Sequence, residues 1–307
     1  MQIAQRVIRD REGQVVGIDS DPLTAEFPRH NSAVCAPGAR AAVVCADLTQ
    51  LPLGGFDAIY VDPARRESGS PAGGSRQGEA AVGGRLSAGH SRPPLAWCLR
   101  LAETVGRVCI KAAPGVCRDL VPDGWETEFV AVGRDLKEAL LWSPGLTTAG
   151  VTSRATILPG GRSLTGAATP AGRPGEPSQV PLAAPGAYLL DPSPAVTRAG
   201  LVADLAGLLD AWQVDPTIAF LSSDESVRTP FARTLRVLES APWQEKSFAS
   251  RLRALGIGAA DIRRRGLAGD VSGIHRRLGL AGPGAATVVL TRVNDRPWGL
   301  ICAPLPD

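Results

Sequence analysis

Three short apolar runs, each ended by an aspartate, constrain the fold of this chain more than any other feature. Residues 15–18, 41–46 and 58–61 are rich in Val, Ile and Ala, which is typical of buried strands. A helix-compatible stretch, 23–34, separates the first two runs, so strand–helix–strand units and a parallel sheet are predicted. Ligands of such sheets bind beyond the carboxyl ends of the strands. The sequence therefore predicts one ligand-binding edge carrying Asp19, Asp47 and Asp62.

The third run lies within residues 55–66, Gly-Phe-Asp-Ala-Ile-Tyr-Val-Asp-Pro-Ala-Arg-Arg. Pro63 cannot continue a strand ladder, so Asp62 should stand at the strand's carboxyl end, with a rigid turn behind it. An ordinary strand-ending turn would have the same local sequence. Arg65 and Arg66 follow directly, and they would either contact phosphate groups of a ligand or face solvent.

This order of acids resembles the class I S-adenosylmethionine-dependent methyltransferases. The resemblance implies that Asp19 accepts hydrogen bonds from the ribose of S-adenosyl-L-methionine and that Asp47 meets its adenine. It also implies that Asp62, Pro63 and Ala64 line the transfer site. Ionised carboxylates suit the ribose role because they only accept hydrogen bonds and can take two hydroxyl protons.

The chain resembles more closely a bacterial methyltransferase family with a C-terminal THUMP-like domain. The resemblance extends from Val15 to the end of the chain. It implies a Rossmann-like, mostly parallel α/β sheet followed by a small α+β domain, and it implies RNA as partner because authentic THUMP domains bind RNA. The segments that carry it, in order, are 19–25, 61–66, 111–115, 155–160, 229–233, 262–266 and 286–292.

This chain departs from the family's pattern at its N-terminal end. Methyltransferases of this class open with a strand and a glycine-rich loop, where a Cβ would block the backbone's approach to the cofactor. Only fourteen residues precede Val15, and residues 1–10 have a helical pattern. We expect the chain to begin inside the first helix, to leave a gap between the strands at Val15 and Ala58, and to bind S-adenosyl-L-methionine weakly or not at all.

Composition excludes several other classes of protein. The 307 residues carry a net charge of +3, which requires no polyanionic partner. No apolar run approaches the roughly 18 residues of a membrane span, and the N-terminus lacks a signal core, so a cytoplasmic protein is predicted. The six cysteines form no Cys-x-x-Cys pair and the three histidines lie far apart, so no metal site is predicted.

Two Gly/Pro-rich stretches divide the sequence. The stretch 67–92 follows the Asp62-Pro63 turn and is either a lid over the site or an insertion without function. The second stretch predicts a linker at 161–186, between a methyltransferase domain at 1–160 and a THUMP-like domain at 187–307.

Elements of the second domain follow from periodicity and turn residues. Helices are predicted at 194–212, 229–238, 247–255 and 271–280. Strands are predicted at 217–221, around Ile262, and as an antiparallel pair at 287–293 and 298–302.

Basic side chains supply further candidate binding residues. Lys111 ends a predicted strand, where it would contact substrate or extend into solvent. Segment 245–277 carries eight basic against three acidic side chains, which fits either RNA phosphate contact or a solvated face. Its central candidates are Arg263, Arg264 and Arg265, and in a strand Arg264 would face away from the other two.

Methyl transfer to RNA, or to another substrate containing a nucleobase, is the function that the sequence favours. No aromatic side chain follows Asp62-Pro63, which argues against an exocyclic amino group as the acceptor, since such enzymes stack the flipped base on an aromatic ring. A catalytically inactive RNA-binding or scaffold protein that lost the cofactor loop is one alternative. A small-molecule methyltransferase is another.

Overall fold

A computed structural model describes residues 14–35, 41–65, 91–167, 180–267 and 269–305. The chain divides into two compact units, one formed by residues 1–58 and 103–105 and the other by the rest. The helix expected at residues 1–10 and nearly all of the stretch 67–92 lie outside the described residues. No helix in the described ranges combines the length and apolar character that a membrane span needs.

The first unit contains the predicted strand–helix–strand arrangement. Strands β1 (Val15–Asp19) and β2 (Ala41–Cys45) are parallel, with Asp19 opposite Cys45. Helix α1 (Pro22–Cys35) connects them and buries Ala25. A single 3₁₀ turn, Leu48–Gln50, follows β2. The prediction for residues 15–46 is therefore confirmed.

The second unit begins with a six-stranded sheet. Its strands are β3 (Ile59–Val61), β6 (Val108–Ala112), β7 (Glu126–Val132), β8 (Asp135–Trp142), β9 (Ser153–Leu158) and β10 (Arg162–Gly166). They lie in the order β10-β9-β7-β8-β6-β3. Strands β3 and β6 are parallel, as are β7 and β9, whereas β8 is antiparallel to both β6 and β7. Helix α2 (Leu95–Val105) precedes β6, and a two-residue ladder joins β4 (Ala64–Arg65) to β5 (Ser91–Arg92).

A short helix from the C-terminal half completes the core of this sheet. Helix α3 (Pro194–Ala199) packs against β7, β8 and β9, and its Ala195, Val196 and Ala199 are fully buried. The Ser153 hydroxyl on β9 donates a hydrogen bond of 2.6 Å to the carbonyl of Ala199. The sheet and the start of the C-terminal half therefore share one core.

The C-terminal sheet has seven strands. They are β11 (Tyr188–Pro192), β12 (Trp212–Asp215), β13 (Ile218–Ser223), β14 (Ala232–Pro242), β15 (Ile257–Arg264), β16 (Gly284–Val293) and β17 (Arg296–Pro304). Their order is β12-β13-β11-β14-β17-β16-β15, and all pairs are antiparallel except β15 with β16. Helices α5 (Glu245–Ala254) and α6 (Val271–Leu278) cover the sheet and bury Phe248, Leu252 and Leu278. The α+β prediction and the antiparallel pair near the C-terminus are confirmed.

Two helix predictions in this half are wrong. Residues 229–238 were expected to be helical because Thr-Pro resembles a helix start, but residues from Ala232 onward form β14. The alternation of buried Leu235 with exposed Arg236 is the period of a strand. The helix predicted at 194–212 is interrupted at Gly200, whose φ of 70° ends α3, and α4 (Val202–Leu208) follows.

The predicted linker contains ordered structure at its start. Strand β10 lies within the predicted linker 161–186 and pairs with β9. Within the described part of the chain, β1 pairs only with β2, and β3 pairs only with β6. The position of the expected gap between the strands at Val15 and Ala58 stays a prediction, since these two strands belong to different units.

Candidate functional site

Two of the predicted site acids lie at the carboxyl ends of β1 and β2 in the first unit. Asp19 is the last residue of β1, and Asp47 follows the end of β2 by two residues. Asp47 caps the 3₁₀ turn: its Oδ1 accepts hydrogen bonds from the amide (2.9 Å) and hydroxyl (2.8 Å) of Thr49. Because the strands are parallel, both carboxylates lie at the same edge of this small sheet.

These acids match the hydrogen-bonding needs of a nucleoside. The Oδ1 of Asp19 accepts from the amide of Asp21 at 2.9 Å, which fixes the carboxylate against the turn, and no donor to Oδ2 lies within the described ranges. A carboxylate held by one oxygen and open at the other is suited to a ribose hydroxyl. The geometry of Asp19 therefore fits a ribose hydroxyl of S-adenosyl-L-methionine, and the contact of Asp47 with the adenine stays a prediction.

The third acid, Asp62, belongs to an ionic cluster in the second unit. Asp62 follows β3 directly, and its Oδ2 lies 2.9 Å from the Nζ of Lys111 on the neighbouring parallel strand β6. The same Nζ lies 3.8 Å from Oε2 of Glu138 on β8. The exposed fraction of the Asp62 side chain is 54% and that of Lys111 is 35%, so a ligand can reach both. Lys111 is thus joined to the proposed transfer-site turn.

Glu138 was not among the residues predicted from sequence. It was missed because β8 was not predicted at all, although Leu140, Leu141 and Trp142 form an apolar run at its end. The side chain of Tyr60 borders this cluster. Burial, together with the charges of Asp62 and Glu138, raises the pKa of its phenol to about 12. Tyr60 therefore stays protonated at neutral pH and is a hydrogen-bond donor beside the two carboxylates.

Backbone pairing holds the chain immediately beyond Asp62. Pro63 is followed by the ladder in which Ala64 pairs with Arg92 and Arg65 with Ser91, so residues 91 and 92 lie next to the Asp62-Pro63 turn. Arg65 contributes its backbone to this ladder, and Arg66 lies outside the described residues. The contact of either arginine with substrate stays a prediction.

The three predicted RNA-binding arginines do not form one solvated row. Arg265 places its Nη2 3.0 Å from Oδ1 of Asp191, and Arg263 places its Nη1 3.6 Å from Oδ2 of the same residue. Arg264 instead donates to the carbonyl of Gly269. The predicted alternation is therefore present, but Arg263 and Arg265 surround a buried carboxylate on β11 that sequence spacing gave no reason to expect.

Known proteins resemble this chain in sequence and in fold. Residues 232–304 match the family model described as THUMP domain-like. Two proteins named uncharacterized S-adenosylmethionine-dependent methyltransferases, from two strains of Mycobacterium tuberculosis, are each 33% identical over 292 residues, which cover 94% of this chain and 74% of theirs.

The fold comparison agrees with the sequence comparison. A crystal structure described as that of a methyltransferase from Porphyromonas gingivalis superimposes with a TM-score of 0.72 and 20% identity. The match covers 95% of this chain and 72% of that one. The predicted fold class, family and cofactor are thereby confirmed. The chain belongs to the S-adenosylmethionine-dependent methyltransferases, in a branch with a THUMP-like region near the C-terminus.

Proposed function

We propose that this protein methylates RNA, with Asp62 at the transfer site. The observation that carries the proposal is the contact of Asp62 with Lys111 at the carboxyl ends of two parallel strands, where α/β proteins bind ligands. The THUMP-like region and its Arg263 and Arg265 support RNA as the substrate.

S-adenosyl-L-methionine supplies the electrophilic methyl group, so the protein's contribution is mainly to position the acceptor. Lys111 holds the Asp62 carboxylate in place by a charge-assisted hydrogen bond. In this proposal the Asp62 carboxylate would accept the proton that the substrate's attacking group loses. Asp19 and Asp47 would hold the ribose and the adenine of the cofactor.

Replacing Asp19 by Asn tests the ribose assignment. The amide oxygen of Asn can still accept from Asp21, but a charged acceptor for the ribose is lost, and such bonds contribute about 1.5–3 kcal/mol. We expect the affinity for S-adenosyl-L-methionine to fall by roughly tenfold or more, as measured by equilibrium dialysis with radiolabelled cofactor.

Asp21→Asn is the matched control for that variant. The Asp21 carboxylate accepts from the amide of Thr24 at the start of α1, and Asn is an equally good helix cap. The control should bind the cofactor as the unaltered protein does. Equal losses in Asp19→Asn and Asp21→Asn would refute the ribose role of Asp19.

Methyl transfer itself is tested with Asp62→Ala. Loss of a group that handles a proton in the transition state reduces rates by about 100-fold or more, so incorporation of radiolabelled methyl groups into total RNA should fall by at least that factor. Asp57→Ala, which removes an exposed carboxylate just before β3, is the control and should retain activity.

A non-catalytic RNA-binding protein is the second candidate. The observation favouring it is the THUMP-like match at residues 232–304, since RNA binding by this region requires no methyl donor. RNA binding without any methyl incorporation by the unaltered protein would favour this candidate over the first.

A further inference from the structure

Four arginines, which come from the turn between β7 and β8, from β14 and from the end of β15, meet around two aspartates in the second unit. Asp191 on β11 has a side chain that is only 4% exposed, and it contacts guanidinium groups of three of them. The shortest contact, 2.5 Å, joins its Oδ2 to Nη2 of Arg134 in the turn between β7 and β8. We call the arginine cluster the set Arg134, Arg233, Arg263 and Arg265.

The second aspartate occupies the more exposed side of the cluster. Oδ2 of Asp261 lies 3.0 Å from Nε of Arg263 and 3.6 Å from Nη1 of Arg233. Its side chain is 53% exposed, in contrast to that of Asp191. The Asp261 carboxylate is therefore open to solvent, and an anionic ligand would compete with it for contact with Arg263 and Arg233.

The cluster has more positive charge than its aspartates can neutralise. Four guanidinium groups face two carboxylates, and each arginine side chain keeps 31–36% of its surface exposed. Burial lowers the pKa of Arg134, and the charges of Arg263, Arg233 and Arg265 lower it further, against the effect of Asp191. The mutual repulsion of these guanidinium groups would be relieved by a further anion.

We propose that the arginine cluster binds a phosphate group of an RNA backbone. Guanidinium groups match phosphate oxygens with paired hydrogen bonds, and their planar forks are weakly hydrated. The cluster joins a turn of the six-stranded sheet to β14 and β15 of the C-terminal sheet, so a bound phosphate would fix RNA across both sheets. The inference rests on the proposed RNA substrate and assigns one contact to it.

Arg233→Gln tests the proposal with the least disturbance of the core, since the ion-pair partner of Arg233 is the exposed Asp261 and not Asp191. Fluorescence anisotropy with a labelled RNA hairpin should show about tenfold weaker binding. The slope of log affinity against log salt should become shallower by about one, because one fewer counterion is released. Arg277→Gln is the matched control. It removes the same charge from an exposed pair with Glu245, and it should change affinity little.

Asp261→Asn gives an effect of the opposite sign. Removing the Asp261 carboxylate, which would compete with phosphate for the arginines, should tighten RNA binding several-fold. If the cluster were purely structural, the affinity for RNA would not rise. The control is Glu245→Gln, which alters net charge equally at a distance from the cluster. Thermal melting of all four variants checks that each remains folded.

Three outcomes would overturn the inference. RNA binding that is unaffected by Arg233→Gln and Asp261→Asn would remove this site while leaving RNA methylation intact. Equal effects at the cluster and at the Arg277–Glu245 pair would indicate a diffuse basic face. Binding of inorganic phosphate to the cluster without RNA binding would assign the site to a free phosphate ligand.

Cluster-dependent RNA binding by a protein that transfers no methyl group would support the inference and contradict the proposed activity.

Discussion

Replacing Arg154 by Met is expected to reduce the free energy of unfolding by about 3–5 kcal/mol, because it leaves a buried carboxylate without its partner. Nε of Arg154 lies 2.6 Å from Oε1 of Glu126, whose side chain is 3% exposed. The amide of Thr148 donates to the other oxygen at 3.1 Å, and this bond alone cannot balance a buried charge. Urea unfolding followed by circular dichroism measures the loss.

A second variant separates charge from packing. Adding Glu126→Gln to Arg154→Met removes the unpaired charge, so much of the lost stability should return. Lys137→Met provides an exposed counterpart, since Lys137 pairs with the well-exposed Asp135, and it should cost less than about 1 kcal/mol. If Lys137→Met and Arg154→Met were equally destabilising, the buried pair would have no special role.

Gly258→Ala is expected to destabilise the C-terminal sheet by about 3 kcal/mol or more, at the upper end of overpacking effects. A Cβ on Gly258 would lie 1.8 Å from the carbonyl oxygen of Gly282, so backbone would have to move. The site lies in the irregular pairing between β15 and β16, where the register shifts between Ile257 and Ala259. Thermal unfolding measures the loss.

Gly207→Ala is the control for that substitution. Gly207 lies in α4, and nothing lies within 4 Å of a Cβ built there. Alanine in a helix is more stable than glycine by about 0.5–1 kcal/mol, so this variant should be slightly stabilised. Destabilisation by Gly207→Ala similar to that by Gly258→Ala would contradict the steric argument.

The sequence predicted an element correctly where its hydrophobic periodicity and its boundary residues indicated the same type of structure. Residues 15–46 form the expected strand–helix–strand unit because apolar runs and turn residues point to the same answer. At residues 229–238 the two signals conflict. Thr229-Pro230 suggests a helix start, whereas Leu235 and Val237 alternate with Arg236, and pairing with β11 and β17 stabilises the strand.

Contacts between distant residues could not be predicted in this way. Asp62 and Lys111 were each named from their strand ends, but their ion pair depends on β3 and β6 being neighbours. Asp191 is 57 residues from Arg134, and no periodic pattern connects them. The charge count of segment 245–277 therefore indicated a basic region, but not that Arg263 and Arg265 contact a buried carboxylate from another part of the chain.

The packing of α3 has a consequence for synthesis on the ribosome. The face of β7, β8 and β9 that α3 covers is complete only when Ala195, Val196 and Ala199 have been made. Translation at 5–20 residues per second takes roughly 2–8 seconds to pass from Leu158 to Ala199. During that interval the nascent sheet presents uncovered apolar surface to chaperones and to neighbouring chains. The intervening residues therefore act as a delay whose length sets how long the protein is vulnerable to aggregation.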